Sequence, residues 1–201
     1  MAIAAVLALQ HAIPERYTIV PRWPLIALEV LLLLVLLAVN PLAPSRYIAA
    51  ATWATRLLIA AITVDNTASA TVLVYRILSG QVDDSVAILL GSGGAIYITN
   101  VIAFGVWYWL LDRNGPLARL SGERRYPDFL FPQMSDPEQA PPDWRPTFID
   151  YLYVSFTNSV AFSPTDTMPL ARWAKAMMTV QSLVATTTIA LVFARAVSLL
   201  N

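Results

Sequence analysis

The sequence predicts an all-α, polytopic membrane protein: four transmembrane helices, with a re-entrant helix and loop before the last. Three observations predict it. Hydrophobic residues make up 57% of the chain and charged residues only 13%, about half the charge of an ordinary soluble domain. Four long apolar segments, near residues 23–40, 46–79, 85–111 and 170–200, are separated by proline, glycine or charge clusters. Between the last two lies the stretch 147–169, TFIDYLYVSFTNSVAFSPTDTMP, too short and too broken to cross a bilayer.

Composition removes several functions at once. Zero cysteine excludes disulfides and thiolate metal sites, and a single histidine, His11, makes a histidine-built metal or catalytic site implausible. A formal net charge of zero argues against nucleic acid as a partner. No nucleophile and base occur at usable spacing, so the chain reads as a non-enzyme with no cofactor, its partner being the lipid bilayer.

Residues 1–12 are apolar but too short to span, and read as an interfacial helix followed by the proline-rich connection 14–24. The first span runs from about Trp23 to Asn40 and carries one charge, Glu29; the turn Asn40-Pro41-Leu42-Ala43-Pro44 ends it. A second helix starts near Arg46 and meets no breaker until Gly80. At that length, ~50 Å, it must tilt, extend beyond the membrane, or break near Asp65-Asn66-Thr67. Those three residues read as a helix end, an interface-level polar cluster, or a cation site at a pore entrance. Counted from the turn near Leu42, Glu29 lies thirteen residues back and Arg56 fourteen forward. Equal depth predicts a Glu29–Arg56 ion pair, either as a helix lock or as part of an ion path, because a lone intramembrane charge costs a few kcal/mol.

The third span, from about Ser85 to Leu111, has no formal charge. Its Gly91-Ser92-Gly93-Gly94 run offers a face for close helix approach, and Trp107-Tyr108-Trp109 marks the far interface. Asp112 to Pro116 ends it. Residues 112–146 then form a polar loop rich in proline, arginine and acids, with the apolar insert Phe129-Leu130-Phe131. The loop either packs over the following segment or binds a partner.

The stretch 147–169 opens on a helix start, with Thr147 capping the Asp150 amide, the Asp150 carboxylate reaching back, and Pro146 blocking extension. A helix from Phe148 to about Thr157 is ~15 Å long, half the hydrocarbon thickness. Non-helical backbone at that depth survives only where protein buries it or it lines a wet cavity. Ser163-Pro164-Thr165-Asp166 is itself a helix-start pattern, so Asp166 also reads as a cap for the last helix. In that helix Gln181, Thr188 and Arg195 recur every seven residues, with Ser182 and Thr186 alongside, which fits a wetted cavity or a polar seam between helices.

A half-helix with an aromatic start (Tyr151), a polar run (Ser155, Thr157, Asn158), then Ser159-Val160-Ala161-Phe162-Ser163, Asp166, Pro169 and one long final helix resembles the pore module of the potassium-channel superfamily. There the filter reads Thr-Val-Gly-Tyr-Gly and is followed by Asp. Ser159 falls at the Thr, Val160 at the Val, Ala161 at the first Gly, Phe162 at the Tyr and Ser163 at the second Gly, with the Asp two residues late. The NSVAFSPTD run also resembles a pattern in bacterial membrane proteins, which implies a divergent, channel-like inner-membrane family.

The resemblance covers roughly 85–201 and implies a homotetramer. Residues 1–84 are then an accessory region with two transmembrane helices. In the pore module, 85–111 is the outer helix, 112–146 a turret loop, 147–169 the pore helix and loop, and 170–200 the inner helix. It implies an ion pathway formed by Asn158, Ser159, Val160, Ala161, Phe162, Ser163 and Asp166, with Gln181 and Thr188 facing an inner cavity. Cβ atoms where filter glycines belong disfavour the left-handed angles that aim carbonyls at a pore. The expected function is therefore a weakly selective cation channel passing monovalent cations; the alternative is a channel-shaped scaffold or regulatory subunit that does not conduct. The resemblance puts the turret outside the cell. The arginines at 113, 119, 124, 125 and 145 favour the opposite orientation by the positive-inside rule.

Overall fold

A computed structural model of the chain describes residues 2–18, 23–38, 45–82, 85–121, 126–136, 138, 140–141, 143–161 and 166–200, with side chains described at all of these except 32–38, 45–50 and 161. The described chain is mostly helical: α1 (Ala2–His11), α2 (Trp23–Ala38), α3 (Ser45–Leu78), α4 (Val86–Leu111), α5 (Pro116–Ser121), α6 (Pro132–Ser135), α7 (Phe148–Ala161) and α8 (Arg172–Ser198). Two strands of two residues each, β1 (Phe129–Leu130) and β2 (Met168–Pro169), pair antiparallel. Among the described residues three helical stretches are long and apolar enough to cross a membrane: Ala51–Leu78, Val86–Asn114 and Arg172–Ser198. Helix α2, with 16 residues, is ~24 Å long and packs against α3.

The chain divides into two compact units, Met1–Ala103 with Thr188–Asn201, and Phe104–Thr187. In the first, α3 runs unbroken through Asp65-Asn66-Thr67 for 34 residues. Its threonines keep the polar stretch helical: the hydroxyls of Thr55, Thr63, Thr67 and Thr71 donate to the carbonyls of Ala51, Ile59, Thr63 and Thr67. A hydroxyl bonded to its own helix needs no partner outside it. Helix α1 docks on α3, burying Val6, while Gln10 Nε2 donates to Asp65 Oδ2 at 2.8 Å. Asp65 is thus a buried anchor for α1.

The first part of α4 and the last part of α8 meet in the same unit at Gly93. A Cβ there would sit 2.8 Å from a Val192 methyl, closer than carbon atoms pack, whereas Gly91 and Gly94 face open space. Of the glycine run, one residue makes the close approach. Arg195, near the end of α8, donates to the Val82 carbonyl at 2.7 Å.

The second unit is built around an aromatic cluster of Phe104, Tyr108, Phe129, Phe131, Tyr151, Val154, Ala174 and Met178. The rings meet edge to face, Phe129 and Phe131 on Tyr151 at 6.1 and 5.3 Å between centroids, the geometry the ring quadrupole favours. The apolar insert at 129–131 is therefore core. At the end of α4 the chain turns through three residues with positive φ, Arg113 (50°), Asn114 (67°) and Gly115 (104°). This turn leads into α5 and the loop.

Candidate functional site

The site is α7 and the side chains that hold it, all within the second unit. At its start Asp150 Oδ2 accepts from the Thr147 amide at 2.7 Å and the Thr147 hydroxyl at 2.8 Å, while the Asp150 amide donates to the Thr147 carbonyl. The expected reciprocal cap is half present: the carboxylate reaches back, but the hydroxyl donates to it and does not cap the Asp150 amide.

The helix has 14 residues, ~21 Å, four residues past the expected end at Thr157. The extra turn is tied down from outside and within. Ser182 Oγ donates to the Asn158 carbonyl at 3.1 Å, and Ser159 Oγ to the Ser155 carbonyl at 2.9 Å. Gly105 of α4 admits the helix: a Cβ there would lie 3.1 Å from Leu152 Cα.

Gln181 of α8 is the hub of this packing, with no exposed surface. Its Oε1 accepts from Tyr108 Oη at 2.6 Å and Asn158 Nδ2 at 2.9 Å. Its Nε2 reaches Ser155 Oγ at 2.6 Å, Ser159 Oγ at 2.8 Å and the Ser155 carbonyl at 3.0 Å, so two protons serve three acceptors. Asn158 Nδ2 also donates to the Met178 carbonyl at 2.9 Å. One amide therefore links α4, α7 and α8, and each of its polar atoms is satisfied as burial demands.

A second polar knot lies toward the start of α7. Asp112, fully buried, accepts from Tyr151 Oη at 2.6 Å and from the Asp128 amide at 2.9 Å, and the Asp128 carboxylate accepts from the Arg113 amide at 2.7 Å. Arg113 Nε lies 3.4 Å from Asp112 Oδ2. Arg119 crosses the Tyr151 ring at 5.1 Å and donates to the carbonyls of Trp109 and Asp112 at 2.7 and 2.9 Å, closing the end of α4. Burial lowers the Arg119 pKa, and Tyr151 and Asp112 beside it oppose that shift. The Asp128 carbonyl in turn accepts from the amides of Leu170 and Ala171, which extends the β1–β2 pairing.

The expected site residues fall in different places. Asn158 and Ser159 are buried in the seam, Val160 is 56% exposed on the opposite face, and Ala161 is the last helical residue. Ser159 to Ala161 thus have helical backbone, not the extended form of a carbonyl-lined filter. Phe162 and Ser163 lie outside the described residues. Asp166 is exposed and precedes α8 by six positions, so it does not cap that helix; the chain forms β2 in between. Gln181 is in the seam, and Thr188, 1% exposed, belongs to the first unit. Glu29 is buried on α2, and Arg56 is half-buried on α3 with its guanidinium 5.4 Å from the Trp53 ring centroid.

Sequence reasoning missed Tyr108, Asp112 and Arg119 as structural partners of α7. Asp112 stood out only as a helix ending, and a buried carboxylate at a span terminus is a signal that could have marked it. Among the described residues no group of three or more His, Cys, Asp or Glu could hold a metal. No protein-family model matches the chain, and no curated protein or solved structure does either.

Proposed function

We propose that the chain is one subunit of a homotetrameric, weakly selective cation channel of the inner membrane, with four spans and α7 as a re-entrant half-helix. The observation that carries this reading is the β1–β2 pairing. Residues 168–169, which follow α7, hydrogen-bond beside 129–130, which precede it. A chain that dips in and returns brings those two segments to the same membrane face; a chain that crosses does not. Seven peptide steps join Ala161 to Met168, a reach of about 25 Å, enough to come back along a helix ~21 Å long.

Two further features provide apolar surface for assembly. One face of α7 is held by its own chain, while Ile149, Tyr153, Phe156 and Val160 are exposed. The apolar window of α8 is 28% buried, against 44% and 50% in the other two candidate spans, leaving Val180, Leu183, Phe193 and Val197 for neighbouring copies or lipid. Asp166, repeated in four subunits, forms an acidic ring that concentrates cations at the mouth.

The burial of Gln181 and Thr188 and the helical backbone at 159–161 favour a second reading, a channel-shaped scaffold that does not conduct. Liposomes holding the purified chain, with potassium and sodium efflux followed separately, distinguish the two. The channel passes both ions at similar rates, and Asp166→Asn slows the flux several-fold at low ionic strength, where a charged ring acts most strongly. Absence of flux under any imposed gradient or voltage rejects conduction.

A further inference from the structure

The second unit contains a cavity of ≈ 630 Å³, within the size range of small-molecule sites. Arg113, Arg119 and Arg145 line it together with Trp109, Trp144 and Leu120, and among the described residues no acidic side chain does. Asp112, next to Arg113 in sequence, is engaged with Tyr151, the Asp128 amide and Arg113 Nε, and the Asp128 carboxylate with the Arg113 amide. Arg119 uses Nη1 on two carbonyls, and Arg145 is exposed with no partner among the described residues. The cavity therefore combines the Arg145 guanidinium, and the N–H groups of Arg113 and Arg119 that are not already bonded, with indole and aliphatic walls.

We propose that this cavity binds a phosphate group carried on an apolar body, the headgroup of an anionic phospholipid. Guanidinium groups match phosphate oxygens in charge and geometry. The position selects the lipid source. Trp109 is near the end of the membrane-length stretch Val86–Asn114, and α5 follows directly with Leu117 and Leu120 57% and 64% exposed. Tryptophan and an amphipathic turn at a span terminus belong at headgroup depth, where an acyl chain leaves the cavity along the apolar wall. The site does not depend on whether the protein conducts.

Native mass spectrometry of the full chain in mild detergent tests it, with phosphatidylglycerol, phosphatidylcholine and soluble glycerol 3-phosphate as probes. Phosphatidylglycerol is expected to stay bound at about tenfold lower concentration than the zwitterionic lipid, a preference one charged contact supplies. Arg145→Gln, at an exposed residue that holds nothing in the fold, weakens retention several-fold. Arg119→Gln and Arg113→Gln are unsuitable, since Arg119 closes the end of α4 and Arg113 pairs with the buried Asp112. Glycerol 3-phosphate binding as tightly as the lipid would retain the phosphate site and overturn the lipid as its source. Equal retention of the two lipids, or a preference unchanged in the Arg145→Gln protein, overturns the proposal.

Discussion

At the scale of single residues, the fold depends on a few polar side chains that have no alternative partner. Gln181→Leu leaves Tyr108 Oη and one Asn158 proton without their buried partner. With about 1–3 kcal/mol for each orphaned group, the loss is on the order of 3 kcal/mol or more, seen as a lower unfolding temperature in detergent. Neighbouring glycines provide a sharper test because the signs differ. Gly93→Ala drives a Cβ into Val192 and costs about 1–3 kcal/mol, while Gly94→Ala meets nothing and gains up to ~1 kcal/mol of helix propensity. Val192→Ala in the Gly93→Ala background recovers most of the loss, a non-additivity that a thermal-unfolding double-mutant cycle reads directly. Residue types were legible in the sequence here and their roles were not. The seven-residue spacing of Gln181 and Thr188 put them on one stripe, but spacing carries no information about whether that stripe meets water or another helix.

At the scale of elements, the short helix is defined by what grips each end. Tyr151→Phe removes one hydrogen bond to a buried carboxylate, worth about 1.5–3 kcal/mol. It leaves Asp112 with the Asp128 amide, so the seam around Gln181 should persist while the start of α7 exchanges its amides faster with deuterium. The opening of α7 was legible from Pro146, Thr147 and Asp150, because a cap is a local signal. Its end was not, because the last turn is stabilised by Ser182, far along the chain. Helix α3 shows the same limit. Asp65-Asn66 looked like a possible break, and only the docking of Gln10 and the back-bonded threonines explain why the helix continues. The β1–β2 pairing, two residues a side, has no periodic signal in so short a stretch.

At the scale of the whole molecule, hydropathy and scarce charge made the membrane-length apolar helices legible, since the cost of burying backbone and charge in lipid acts on every residue of a span. Three helices meet that criterion among the described residues. Assembly was not legible: exposed apolar residues on α7 and α8 are equally suited to lipid or to another subunit, and no pattern in one chain separates those surroundings. The path of α7 is where the account is most exposed. The chain has no cysteine, so single cysteines at Arg145 and Asp166, both exposed and on either side of α7, can be labelled with a membrane-impermeant maleimide in sealed vesicles of known orientation. Entry and return on one face predict that both positions react from the same side of the membrane; labelling of the two from opposite sides would show that α7 crosses and would contradict the account.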